Sequence, residues 1–227
     1  MPLYQISLCI AGRLCIVIGA GDVAERKIES LLQAGAVVRV IAPDDVMIDG
    51  VEFIRRHYET GDLQGAFLAI AATDDRLINE AVYKEALERN VLVNVVDNPS
   101  LCTFFVPSVL TRGDLQISIS TGGKCPALAK KMRIDMESRY GAEFNEYLRI
   151  AEEARQAILI AYSEEARREM MNRVLDDDQL FRLVRANRLQ EARDRVRHLL
   201  CCDNENKLEL EKPGCGSSRF LNDKGEE

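Results

Sequence analysis

The sequence predicts an α/β chain: a doubly wound parallel sheet, then a short alternating segment, then an α-helical C-terminal region. Three observations predict it. Short apolar runs such as Leu14-Cys15-Ile16-Val17-Ile18 have the length and β-branched content of strands buried on both faces. Strand and helix patterns alternate as β-α-β-β-α-β through roughly the first hundred residues, which implies parallel neighbours. A glycine turn, Gly19-Ala20-Gly21, joins the first run to the first helix.

The elements follow in order. After Leu14 to Ile18 comes the glycine turn, and Asp22 to Gln33 then has helical spacing, so the turn reads G-x-G-x-x-A with Gly19, Gly21 and Ala24 at the key positions. Gly19 permits the tight turn, Gly21 lets the backbone approach a pyrophosphate, and Ala24 lets helix pack closely on strand. The opening helix amides, from Asp22 and Val23 on, then face phosphate oxygens with the positive end of the helix dipole behind them. Gly35 and a second strand, Val37 to Ala42, complete the context that separates a Rossmann-type dinucleotide turn from a purely structural one. The second strand ends at Pro43-Asp44, and Asp44 lies 23 residues past Gly21, near the distance expected for an acid that binds the adenosine ribose. No Arg or Lys follows before Arg55 to receive a 2′-phosphate, which favours NAD over NADP. The other reading of Asp44 is as the start of a turn after Pro43.

Val51 to Arg55 reads as a third strand and Phe67 to Ala72 as a fourth. Asp75 to Arg89 is an amphipathic helix with Ile78, Val82, Ala86 and Leu87 facing inward, and Val91 to Val96 is a fifth strand. Ligands on such sheets collect beyond the carboxyl ends of the strands, where Gly19 to Asp22, Ala71 to Asp75 and Asn94 to Asp97 all fall. Thr73 and Asp74 serve either as a helix cap or as a cofactor contact, two roles that are compatible. Asp97 has two even readings. A carboxylate projecting from that strand end is placed to accept a proton while a hydride leaves for a nicotinamide. Equally, it is the residue of an Asx turn before Asn98-Pro99.

Beyond about residue 112 the pattern changes. Leu115 to Ser120 alternates like a half-buried strand, and Thr121-Gly122-Gly123-Lys124-Cys125 leads into a helix with Pro126 in its first turn. Leu128, Met132, Met136 and Tyr140 form a ridge at i, i+4 spacing on that helix. From Glu143 to about Leu200 the pattern is helical, with breaks near Ser163, Asp176 to Asp178 and Asn187; residues 201–227 are polar and read as a disordered tail.

Composition excludes several functions. With 30 Lys and Arg against 37 Asp and Glu, the net charge of −7 gives nucleic-acid binding no bulk electrostatic support. No apolar stretch approaches the roughly 20 residues that span a bilayer. The first ten residues have no basic n-region, which argues against a signal peptide. Seven cysteines, an odd number with Cys9 and Cys15 at apolar positions, suggest reduced thiols and a cytoplasmic location. Cys201, Cys202 and Cys215 match no standard zinc spacing, and no metal site is expected. His57 and His198 are the two histidines, and neither sits in a nucleophilic or metal-ligating arrangement. Lys124, Lys130, Lys131 and Arg133 form a basic patch, either a solvated face or an attractor for a polycarboxylate.

Together these residues resemble the precorrin-2 dehydrogenase/sirohydrochlorin ferrochelatase module of siroheme synthesis, from about residue 3 to about 150. The resemblance rests on Gly19 to Lys27, on Ala71 to Asp75 with Asn79, on Asn94 to Asp97 with Pro99, Phe104, Pro107 and Ser108, and on Ser120 to Gly123 leading to Pro126 to Ala129. It implies NAD-dependent oxidation of precorrin-2 to sirohydrochlorin on a homodimer, with ferrous iron insertion at the same site in some members. It places the catalytic carboxylate at Asp97 and the dinucleotide over Gly19, Ala20, Gly21, Asp22 and Val23, near Pro43, Asp44 and Thr73. Pattern and resemblance together divide the chain into an NAD-binding Rossmann domain (1–112), a dimerisation segment (113–145), a helical domain (146–200) and the tail (201–227). Cys125 stands where the family often has serine, so nothing phosphorylation-like carries over to it. The length leaves no room for the methyltransferase of the fused members. A different class, an NAD-binding regulatory module without turnover, shares the Rossmann turn but needs no proton acceptor at the nicotinamide.

Overall fold

The computed structural model describes residues 3–44 and 48–201. The elements run β1 (Leu14–Ile18), α1 (Asp22–Gln33), β2 (Val37–Ala42), β3 (Val51–Arg55), β4 (Leu68–Ala71), α2 (Arg76–Glu88) and β5 (Leu92–Val95). A 3₁₀ turn at Pro99–Leu101 follows, then β6 (Ser108–Arg112), β7 (Leu115–Ile119), α3 (Pro126–Arg139), α4 (Glu143–Ala161), α5 (Glu164–Leu175), α6 (Asp178–Arg185) and α7 (Leu189–Cys201). The doubly wound α/β architecture is the expected one, and each expected strand of the first half forms, some trimmed by a residue at either end. The described residues fall into two units, one running up to Ser108 and including Ser118–Arg133, the other built from Val109–Ile117 and the chain from Ile134 on.

In the first unit the sheet order is β3-β2-β1-β4-β5, and every neighbouring pair is parallel. The chain winds outward through β2 and β3 on one side of β1, then returns to lay β4 and β5 on the other. The strand order therefore reverses between β1 and β4, which opens a crevice beyond their carboxyl ends.

Strand periodicity divides the core between two faces. Ile16 and Ile18 of β1 join Val82 and Ala86 of α2, whereas Cys15 and Val17 join Ala24, Ile28 and Leu31 of α1. Each fully buried Ile, Leu or Val stabilises by about 1.5–3 kcal/mol, so both helices are held by their apolar stripes. One expected core position is corrected. Leu87 is 48% exposed, and the α2 position that turns inward beside Ala86 is Glu85, 3% exposed. The helix tolerates this because Glu85 is fully partnered, as described below.

β6 and β7 form a two-stranded sheet joined by the two-residue turn Gly113-Asp114, a connection that requires antiparallel strands. β6 was not legible as a strand; β7 was. On α3 only Ala129 is buried, and the expected ridge begins with Leu128 at 48% and Met132 at 40% exposure.

The helices of the second unit share one core in which Ile150, Ile158, Tyr162, Met170, Leu180 and Val196 meet. The expected breaks fall where α5, α6 and α7 begin. Asp177 caps α6 through Leu180 N at 2.6 Å and pairs with the Arg195 guanidinium at 2.6 Å. The Arg195 bond and the capping amides hold the Asp177 carboxyl below the usual carboxylate range, against the opposing effect of burial. Asn187 takes the left-handed conformation between α6 and α7 (φ 56°). No helix of the described residues is long and apolar enough to cross a membrane. Cys201 is exposed, while Cys202, Cys215 and the expected tail from 202 on lie outside the described residues.

Candidate active site

The crevice at the carboxyl ends of β1 and β4 is built from backbone. Gly19 has φ 112°, which side chains rarely adopt, and a Cβ there would sit 2.3 Å from the Ala72 carbonyl oxygen. Its amide donates to Ile41 O (3.0 Å), and Ala72 N donates to Ile18 O (2.8 Å), so three strand ends are tied at one point. Gly21 behaves differently. It is the N-cap of α1, in ordinary extended backbone, and a Cβ built on it meets nothing within 4 Å among the described residues.

Among the described residues no side chain caps α1, and Gly21 and Asp22 are exposed beside half-buried Ala20 and Val23. An uncapped helix start behind an open glycine is a ready site for an anionic group. Pro43 and Asp44 lie exposed just past the end of β2, next to β1 in the sheet. The residues present therefore fit a dinucleotide: a cradle at Gly21, free amides at the helix start, and an acid at the neighbouring strand end.

On the β4 side Asp75, and neither Thr73 nor Asp74, caps α2, accepting from Leu77 N (2.8 Å) and Ile78 N (3.2 Å). Thr73 Oγ1 accepts from Asp75 N (3.2 Å) and lies 3.0 Å from Asn79 Oδ1, while Asn79 Nδ2 donates to Thr73 O (2.9 Å). Thr73 thus shapes the loop at the switch point, which explains why Asn79, one turn into α2, accompanies it.

Asp97 follows β5. Asn98 N donates to Val95 O at 3.3 Å, closing a turn in which Asp97 has φ 57°. Its side chain is exposed, and among the described residues no hydrogen bond engages its carboxylate. One side-chain bond in this loop is made by Asn98, whose Oδ1 accepts from Ser100 Oγ (2.6 Å). A non-glycine residue held in the left-handed region stores about 1 kcal/mol or more, a cost concentrated at functional sites.

Pro99 and Ser100, just past Asp97, line a cavity of about 920 Å³ within the first unit. Its polar walls include Gln5, Ser118, Ser120, Thr121 and Lys124, so the structure brings the Thr121–Lys124 segment beside the loop that carries Asp97. Gln5, Cys102 and Ser118 are members of this wall that the sequence did not single out; they lack any charge or motif that marks them.

Beneath α2 lies a buried carboxylate also missed. Glu85 accepts from the Tyr58 hydroxyl, Gly61 N (2.9 Å), Leu63 N (3.3 Å) and Arg89 Nε (2.6 Å). Burial pushes its pKa up, but these donors outweigh burial and leave it below the usual range. The same burial and carboxylate push the Tyr58 hydroxyl well up, so it remains a donor. Glu85 is structural: its four donors come from the C-cap of its own helix and the β3–β4 connection.

With this geometry in place, comparison with known proteins adds a lineage. Residues 6–108 match the family NAD_binding_7, described as "Putative NAD(P)-binding", and residues 112–139 match the sirohaem biosynthesis protein central family. The siroheme synthase of Photorhabdus laumondii subsp. laumondii is 32% identical over 99% of this chain and 50% of its own length. The chain is thus similar to siroheme synthases over part of their length. A second siroheme synthase, from Methylobacillus flagellatus, is 38% identical over 72% of this chain and 36% of its own length. The chain thus spans about half or less of the curated relatives it matches. A solved structure, "SirC, precorrin-2 dehydrogenase", superimposes with a TM-score of 0.70 at 27% identity, covering 86% of this chain and all of that one. The fold described above is the one that structure shares.

Proposed function

We propose that this protein is an NAD-dependent dehydrogenase that oxidises precorrin-2 to sirohydrochlorin in siroheme synthesis. The observation that carries the reading is the Asp97 turn: an exposed, unbonded carboxylate in left-handed backbone (φ 57°), at the carboxyl end of β5 and next to residues lining a large polar cavity. The glycine crevice alone fits any dinucleotide-binding protein. The likeness to a precorrin-2 dehydrogenase and to siroheme synthases supports the choice of substrate.

In this reading Gly21 and the α1 amides hold the pyrophosphate of NAD, and Asp44 binds the adenosine ribose. Bound NAD supplies the hydride acceptor. Precorrin-2 loses two hydrogens in the oxidation, one as hydride and one as a proton, and Asp97 takes or relays the proton. Exposure keeps that carboxylate able to pass the proton on to solvent. Lys124 and the hydroxyls of Ser118, Ser120 and Thr121 hold carboxylates of the substrate's rim. The exposed Leu128–Met132 ridge of α3 is the surface on which a homodimer forms. Ferrous iron, as a second substrate, enters sirohydrochlorin at the same site, where Asp97 accepts protons leaving the pyrrole nitrogens.

The test is anaerobic incubation of enzymatically generated precorrin-2 with the protein and NAD, followed by addition of ferrous iron. NADH formation with the sirohydrochlorin spectrum is expected, then a shift to siroheme faster than in an enzyme-free control. No NADH from folded protein that binds NAD overturns the dehydrogenase reading. Oxidation with iron insertion no faster than the control removes the chelatase half.

A further inference from the structure

β5 is the last strand of the sheet, and its outer edge is covered mainly by side chains of the chain that returns past it. Thr103 N donates to Val93 O (2.8 Å), and Val93 N donates to Thr103 Oγ1 (2.8 Å). Val95 N donates to Cys102 Sγ (3.3 Å), and Asn94 Nδ2 donates to Phe104 O (3.0 Å). The Cys102 thiol in turn lies 3.3 Å from both Val95 O and Asn98 O. Val95 and Asn98 are the two ends of the turn that presents Asp97. One buried sulfur therefore grips that turn at both ends, and the residue that carries it lines the cavity.

We propose that Cys102 is the positioning residue for Asp97, its thiol locking the Val95–Asn98 turn while Thr103 and Asn94 fasten the returning chain to β5. The proposal rests on the reading of Asp97 as the proton acceptor. A non-glycine residue at φ 57° reverts to a more favourable backbone unless its surroundings over-determine it. The thiol supplies what the turn needs, an acceptor for a strand amide and one S–H donor shared between two carbonyls. Burial pushes the thiol pKa up, against the smaller effect of the Val95 amide, so the donor hydrogen is retained. Alanine supplies neither function; serine supplies both on a shorter bond.

The test compares Cys102→Ala, Cys102→Ser and Asp97→Asn in the full chain, measuring kcat per folded protein, NAD affinity, and the acidic limb of the kcat–pH profile. For Cys102→Ala the expected result is a kcat lower by about tenfold or more with a shifted acidic limb. NAD affinity stays within about twofold, and Cys102→Ser recovers kcat to within about threefold. Should Cys102→Ala not fold, Thr103→Val removes the neighbouring fastening at nearly constant volume, and the same split of kcat from NAD affinity is expected. Wild-type kcat and pH profile in Cys102→Ala, even with a lower melting temperature, overturn the proposal and leave the thiol as core filling. Full activity in Asp97→Asn instead overturns the reading beneath it, whatever Cys102 does.

Discussion

Gly19 and Ala72 are in backbone contact: a Cβ on the glycine would lie 2.3 Å from the Ala72 carbonyl oxygen. The contact joins the loop after β1 to the loop after β4 at the point where the strand order reverses. Gly21, two residues on, has open space around it. The two glycines of one motif therefore do different work, the first closing the fold and the second leaving room for a ligand.

That difference is measurable. Gly19→Ala combines a disfavoured φ with a backbone clash and is expected to lower stability by about 3 kcal/mol or more. Gly21→Ala is expected to change stability by less than about 1 kcal/mol and to weaken NAD binding at least about tenfold. Urea denaturation and NAD titration of both variants check this. Equal destabilisation by the two would contradict the division of roles.

Glu85 makes stability depend on pH. Its folded-state pKa is depressed, so its contribution is whole above the ordinary glutamate value of 4.5 and is lost as pH falls through the lower folded value. Glu85→Gln is expected to cost about 2 kcal/mol near neutrality, because the charge-assisted bonds to its four donors are lost. The gap between wild type and variant should shrink as pH is lowered below about 4.5, the starting value for this group. Urea midpoints of the two proteins at pH 7 and under acid conditions read this directly. A constant gap would mean that the carboxylate is not what matters.

Lys124 stands in the cavity wall among serine and threonine hydroxyls. Lys124→Ala is expected to raise KM for a polycarboxylate substrate by about fivefold to tenfold, an effect that fades at high salt, with NAD affinity unchanged. Steady-state kinetics at two ionic strengths checks it. An unchanged KM assigns the lysine to the solvated face that its neighbours Lys130 and Lys131 share.

How much of this was legible follows from how local each signal is. β1 to β5 could be read because strands buried on both faces are continuous apolar runs, and because the glycine turn marks strand and helix at once. β6, with the sequence Ser108-Val109-Leu110-Thr111-Arg112, has a single buried residue and no such run. The position of Asp97 at a strand end could be read, but its left-handed backbone could not, since that depends on Cys102 gripping the turn. Glu85 was invisible for a related reason. A glutamate on a helix reads as solvated, and two of its donors, Gly61 and Leu63, lie 24 and 22 residues away. Asp75, rather than Thr73 or Asp74, became the cap because its carboxylate reaches two amides of the first turn of α2.

The central claim is that this crevice performs a reaction and does not merely sense NAD, and Asp97 is where the two diverge. The decisive measurement is precorrin-2-dependent NADH formation by wild type and Asp97→Ala, each with its NAD affinity determined separately. The account predicts turnover in wild type, a loss of about a hundredfold or more in kcat for Asp97→Ala, and NAD affinity within about twofold. Equal turnover in the two proteins, or NAD binding without turnover in wild type, would contradict it.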